Sequence, residues 1–207
     1  MHIAEGMLQT PVWVGGAVFA TAGVAIGLRQ IKPEKIPRVA VLTACFFVAS
    51  LVHVPVGGVG VHLMLSGLVG VILGWGAFPA VLVGLGLQLL LFNFGGLTTL
   101  GANTFNMAAP AVLMFYLLRW FVVNGGMTRV YIFGCLAGAG AMLGSAVLLT
   151  LCMWLSDKEL LAVAGTVVVG HVPVMVIEGL ITGWILVFLR KVKPEIFSIF
   201  LKKVKNS

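Results

Sequence analysis

Charge is what this sequence has least of. Only 9% of its 207 residues are Asp, Glu, Lys or Arg, and six are acidic, where soluble domains carry about 25% charged residues. So little polar surface cannot coat a water-soluble globule, and the chain is far too apolar for disorder. A soluble enzyme and a nucleic-acid binder are both excluded. Cysteine is scarce too: Cys45, Cys135 and Cys152 lie in apolar runs with no C-x-x-C pair, which excludes a disulfide framework and leaves three small packing residues. No G-x-x-x-x-G-K-S/T phosphate loop and no H-E-x-x-H occur, so the chain has neither the common ATPase loop nor the zincin site. Paired membrane charges and inverted repeats, the marks of a secondary carrier, are not seen.

What remains is 60% hydrophobic, with a mean hydropathy of +1.14. A bilayer core of about 30 Å takes about 20 apolar residues per helix, and seven candidate spans follow: 11–28, 39–55, 60–76, 79–94, 104–123, 130–155 and 167–189. The third is the weakest, because His62, Ser66 and several glycines interrupt it; six spans and a re-entrant segment compete with seven. The expected fold is an all-α polytopic membrane helix bundle, one domain over 1–207. Twelve of the 13 basic residues fall in 29–38, 119–129 and 190–207, and only Lys158 lies across the membrane from them. Flanking Lys and Arg mark the cytoplasmic side, so the N-terminus is predicted outside and the C-terminus inside. The basic cluster follows the first span rather than preceding it, so the start does not read as a secretory signal. The tail over 190–207 is basic and carries bulky apolar residues, suited either to lie along an anionic bilayer surface or to remain solvated.

This topology gathers His2, His53, His62 and His171 near the outer face, with the polar run Gly95-Gly96-Leu97-Thr98-Thr99-Leu100-Gly101-Ala102-Asn103-Thr104-Phe105-Asn106. Such a run forms either a pocket wall or a plain connector. The Met1 amine, the His2 backbone nitrogen and the His2 imidazole can chelate one metal through two fused rings, coplanar because the peptide is planar. A fourth nitrogen would complete a square plane, a geometry that favours Ni(II) or Cu(II) over Zn(II). His62 is the natural fourth ligand; the alternative is an interfacial histidine bonded to loop backbone. His53 is either an anchor or a support for a ligand. His171 and Glu178 are seven apart, on one face of the last span. An intramembrane carboxylate needs a partner, and Glu178 serves either to hold a histidine or a loop Asn or to make an internal helix–helix hydrogen bond.

The opening Met1-His2-Ile3-Ala4-Glu5-Gly6, the run from Gly95 to Met107, and His171-Val172-Pro173 with Ile177-Glu178-Gly179-Leu180-Ile181-Thr182-Gly183 resemble the CbiM/NikM family. These are the substrate-capture (S) components of energy-coupling-factor (ECF) transporters for nickel and cobalt. The resemblance implies an uptake component of a prokaryotic cell membrane rather than an enzyme. It implies one metal ion held by Met1, His2 and, by position, His62, within a chelating segment over 1–10. Glu5, His53, Ser66, Thr98, Thr99, Asn103, Asn106, His171 and Glu178 are the supporting or pocket candidates. Family members often carry His-Pro-Thr-Gly around the fourth ligand; here the stretch is His62-Leu63-Met64-Leu65-Ser66-Gly67, with Ser66 in place to replace the Thr. Implied partners are an EcfT/CbiQ-like coupling subunit, EcfA/CbiO-like ATPases and a small accessory membrane protein. Ala40 and Ala44 offer a small-residue docking face, whereas Gly23/Gly27 and Gly140/Gly144 suit packing inside the bundle. Nickel is the expected cargo; cobalt, supplied for cobalamin synthesis, is the alternative. A membrane metalloenzyme, a stand-alone carrier and a structural metal site are the rivals.

Overall fold

In a computed structural model the described residues are 3–56, 59–157 and 160–198. Helix α1 (Thr10–Gln30) starts with a proline in its first turn, where the missing N–H costs no helical bond. A 3₁₀ turn (Pro33–Lys35) leads to α2 (Ile36–Ala49), which also starts on a proline. Strands β1 (His53–Val56) and β2 (Val59–His62) pair antiparallel, with His53 opposite His62. Helix α3 (Ser66–Leu73), a 3₁₀ turn (Gly74–Gly76) and α4 (Ala77–Phe92) follow. The long helices α5 (Leu100–Asn124), α6 (Met127–Ser156) and α7 (Leu160–Val192) complete the bundle before the short α8 (Glu195–Ser198).

Five helical stretches among the described residues are long and apolar enough to cross a membrane: 10–30, 66–92, 100–124, 127–156 and 168–192. The second of these is not one rod. Twenty-seven residues of unbroken helix would measure about 40 Å, yet the His62 and Phe94 rings that flank it lie 5.3 Å apart. The chain doubles back at Gly74, whose φ of +57° is in the region that favours glycine. The α3–α4 stretch is therefore a helical hairpin.

This corrects the expectation of seven membrane-length helices. Among the described residues only those five stretches have membrane length; α2, with 14 residues, and α3, with 8, span only about 21 and 12 Å. The predicted third span, 60–76, is instead strand β2, a short connection and α3. Its non-helical backbone is tolerated because protein covers it: every residue from His62 to Ile72 is buried. Around this enclosed element the other helices turn apolar side chains outward, among them Leu90, Val169 and Trp184.

The bundle has two ends. At one, residues 3–9 meet the loop before α5 and the end of α6; we call it the histidine end. At the other, the basic end, the last turn of α1 lies against the Gly74–Gly76 turn, where a Cβ on Gly27 would collide with the Trp75 carbonyl. There Arg190 donates to the carbonyls of Val122 and Val123, both at 2.7 Å, closing the C-terminal turn of α5 with a cation. Gly23 and Gly27 sit tight against Phe78 and Pro79, and Gly140 and Gly144 against Met114 and Pro110, all inside the bundle. Ala40 and Ala44 are exposed on α2.

Candidate metal centre

At the histidine end a clamp closes on the main chain of Ile3. Asn103, in the first turn of α5, accepts the Ile3 N–H at Oδ1 (3.0 Å) and donates from Nδ2 to the Ile3 carbonyl (3.1 Å). Thr99 Oγ1 donates to the same carbonyl at 2.8 Å. An amide side chain thus pairs with both polar groups of one residue, as a neighbouring strand would. Ile3, Thr99 and Asn103 are all buried.

Two residues on, the Glu5 carboxylate accepts the N–H and the hydroxyl of Thr98. These bonds, led by the hydroxyl, hold its pKa below the ordinary value although the group is fully exposed. The chain turns at Gly6, with φ +79°, and the Gln9 N–H donates to Ser156 Oγ at 3.1 Å. Gly96 makes the approach feasible, since a Cβ there would collide with Glu5. Residues 3–9 are thus pinned to α5, its preceding loop and α6. Met1 and His2, the predicted chelate, lie outside the described residues.

His62 closes β2. Its Nδ1 lies 2.9 Å from the Ser50 carbonyl, and a carbonyl only accepts, so Nδ1 carries the proton. In the neutral ring the lone pair is then on Nε2, the arrangement that second-shell carbonyls impose on metal-binding histidines. The Phe94 ring meets the imidazole edge-on. The Ser50 hydroxyl donates to the Phe47 carbonyl and accepts from Gln88 Nε2 at 2.7 Å. Gln88 and Ser50, both fully buried, were not among the sequence candidates. The available signal was a lone amide in an otherwise apolar helix.

Among the described residues Glu178 bonds neither a histidine, nor a loop Asn, nor a side chain of another helix. Its Oε1 accepts the main-chain N–H groups of Met64 and, at 2.7 Å, Leu65. Leu65 has φ +55° and precedes α3, so the carboxylate of α7 takes the place of an N-terminal cap for that helix. This fastens the segment two and three residues after His62 to α7. Ser66, buried, opens α3.

The remaining candidates disperse. Asn106 accepts a weak bond from the Cys152 thiol at 3.6 Å and does not reach Ile3. His171 is buried about two helical turns before Glu178. The His53 backbone pairs with His62; its side chain is outside the described residues. Among the described residues no three His, Cys, Asp or Glu side chains group as metal ligands. A chelate built mainly from the amine, backbone nitrogen and imidazole of residues 1–2 would leave no such group.

The model of the CbiM family, described as the cobalt uptake substrate-specific transmembrane region, matches residues 2–196. The chain belongs to the CbiM family. It is 39% identical over 200 residues to a Haemophilus influenzae protein provisionally named a metal transport protein, covering 96% of this chain and 97% of that one. It is 38% identical over 120 residues to the cobalt transport protein CbiM of Propionibacterium freudenreichii, covering 52% of this chain and 49% of the relative. The fold matches the crystal structure of a truncated transition metal transporter with a TM-score of 0.74 at 25% identity, over 92% of this chain and 99% of that one. The protein is a multi-pass membrane component of a CbiM/NikM-type metal uptake system, and not an enzyme.

Proposed function

We propose that this protein captures one divalent nickel ion at the outer face of the cell membrane. The ligands are the Met1 amine, the His2 amide nitrogen, the His2 imidazole and His62 Nε2. The observation that carries this is the clamp on Ile3. It fixes the point from which two residues extend, and their backbone reaches at most about 7 Å. Whatever the Met1-His2 terminus binds must lie within that reach and the length of one imidazole. His62, held by a backbone carbonyl with its lone pair on Nε2, faces the same end of the bundle.

Binding releases a proton from the His2 amide, so affinity rises with pH. The basic end, by the Lys and Arg asymmetry, is cytoplasmic. Coupling to a CbiQ-like membrane subunit and CbiO-like ATPases would reorient the loaded protein, with the exposed Ala40/Ala44 face of α2 as the docking candidate. Cobalt is the second reading, favoured by the description of the family model; cobalt and coplanar nitrogen ligands form the weaker pair, because a deprotonated amide suits a low-spin d8 ion.

The test is metal content of native-terminus protein offered nickel and cobalt together. One nickel per chain, with the yellow band of diamagnetic square-planar Ni(II), is expected. One cobalt per chain changes the cargo and keeps the site. An N-terminal extension or His62→Ala should abolish or greatly weaken binding with the fold intact. Undiminished nickel binding by the extended protein would sink the chelate.

A further inference from the structure

The basic end holds a cleft of about 950 Å³ that metal capture leaves without a task. It opens where the last turn of α1, the 3₁₀ turn before α2, the Gly74 break and the last third of α5 converge. Arg29, Lys32, Lys35, Arg38 and Arg119 line it, with Glu34 as the one acid. A cytoplasmic charge bias alone does not produce this grouping: the other described basic residues of this end, Arg129, Arg190, Lys191 and Lys193, lie outside the cleft. Among the described residues Arg29, Lys32 and Arg38 make no hydrogen bond or ion pair. Arg119 is held on the wall with its guanidinium 4.8 Å above the Phe115 ring.

The surroundings specify the ligand further. Ile31, Val39, Ile72 and Leu73 supply apolar wall. Tyr116, on the wall, accepts from Trp75 Nε1 at 2.9 Å, the kind of amphipathic pair that sits at headgroup level. Leu28, Ile36, Tyr116 and Leu117 close by present their side chains outward, each more than half exposed. A cluster of cations, three of them (Arg29, Lys32 and Arg38) unpaired among the described residues, with an aromatic hydroxyl and an indole close by and apolar surface alongside, matches an amphiphile with an anionic head. The apolar flank sets the cleft beside the acyl chains of the bilayer, to which an anionic lipid head is tethered.

We propose that this cleft binds the phosphodiester headgroup of an anionic phospholipid, with its acyl chains along α1 and α5. The lipid bridges the α1–α2 connection to the Gly74 turn, tying together elements that otherwise meet with few polar bonds. The proposal holds whichever metal is carried.

The test is native mass spectrometry of the full chain in detergent, equilibrated with equal amounts of phosphatidylglycerol and phosphatidylcholine of the same acyl composition. The protein should retain phosphatidylglycerol selectively. Replacing Arg29, Lys32 and Arg38 together by Gln should weaken retention about a hundredfold, from the usual contribution of a basic residue at an anionic surface. Replacing Arg129, Lys191 and Lys193 by Gln should leave it unchanged. Equal retention of the two lipids by the unmodified protein overturns the proposal, and that arm needs no variant to fold. Displacement of the lipid by millimolar glycerol phosphate would make the cleft a soluble-phosphate site and overturns it too. So does unchanged retention in the cleft variant; loss there of co-purification with an acidic membrane subunit would then make this a protein-docking surface.

Discussion

Asn103→Ala separates the clamp from the rest of the bundle. The substitution removes two bonds to Ile3, at 3.0 and 3.1 Å, and leaves the Ile3 N–H buried without an acceptor. The Ile3 carbonyl keeps Thr99. Each lost bond is worth about 0.5–1.5 kcal/mol and the orphaned donor about 1–3; these overlap, and a docking loss of about 2–4 kcal/mol is the working figure. If metal capture requires the docked terminus, the nickel Kd rises by about 30- to 700-fold, at 1.4 kcal/mol per tenfold. The assay is competition against a chromophoric chelator, using protein with a free Met1 amine and any affinity tag at the C-terminus. Asn103→Asp, which keeps an acceptor and loses the donor, should fall between. Asn106→Ala, one turn away and bonded only weakly to Cys152, should change the Kd by less than a factor of about three, as substitutions outside a network do. An Asn103→Ala protein that melts normally and binds nickel as tightly as the unmodified chain would refute the reasoning.

Glu178→Leu should lower the thermal midpoint in detergent strongly, because the N–H groups of Met64 and Leu65 lose their buried acceptor, a loss of about 2 kcal/mol or more. Glu178→Gln keeps an Oε1 that accepts and should lose less than half as much; equal losses would show that the carboxylate is not acting as the cap. Glu5 has a lowered pKa, so its contribution to docking is present above the ordinary carboxylate range and is lost as pH falls through the depressed value. Proteolytic nicking or amide exchange of residues 3–9 should therefore rise only at acid pH, and Glu5→Gln should show the same nicking at neutral pH. Nicking of residues 3–9 at neutral pH that Glu5→Gln leaves unchanged would contradict this.

The clamp and the cap also show what was legible beforehand. Glu178, Thr98, Thr99 and Asn103 stood out in the sequence as polar groups in apolar surroundings, which is a local property. Their partners were not legible: Asn103 meets Ile3 across 100 residues and Glu178 meets Met64 across 114. Asn103 and Asn106 read alike in one polar run, yet three residues of helix turn the second by about 60° and move it about 4.5 Å, enough to aim it at Cys152 instead of Ile3. Gln88 and Ser50 were missed because their part depends on where the end of α2 lands on α4.

By itself the sequence determined the membrane class, the long apolar helices and the uneven distribution of Lys and Arg. Each is a sum over about 20 neighbouring residues and needs no knowledge of contacts. Only the tertiary structure decided that 59–65, the start of the predicted third span, are a strand paired with His53–Val56 and a connection to α3. The glycines and Pro55 weaken a helix locally, but unpaired backbone at that depth is affordable only because α7 supplies Glu178 and the surrounding helices exclude lipid. That compensation comes from residues more than a hundred positions away, and local hydropathy carries no record of it.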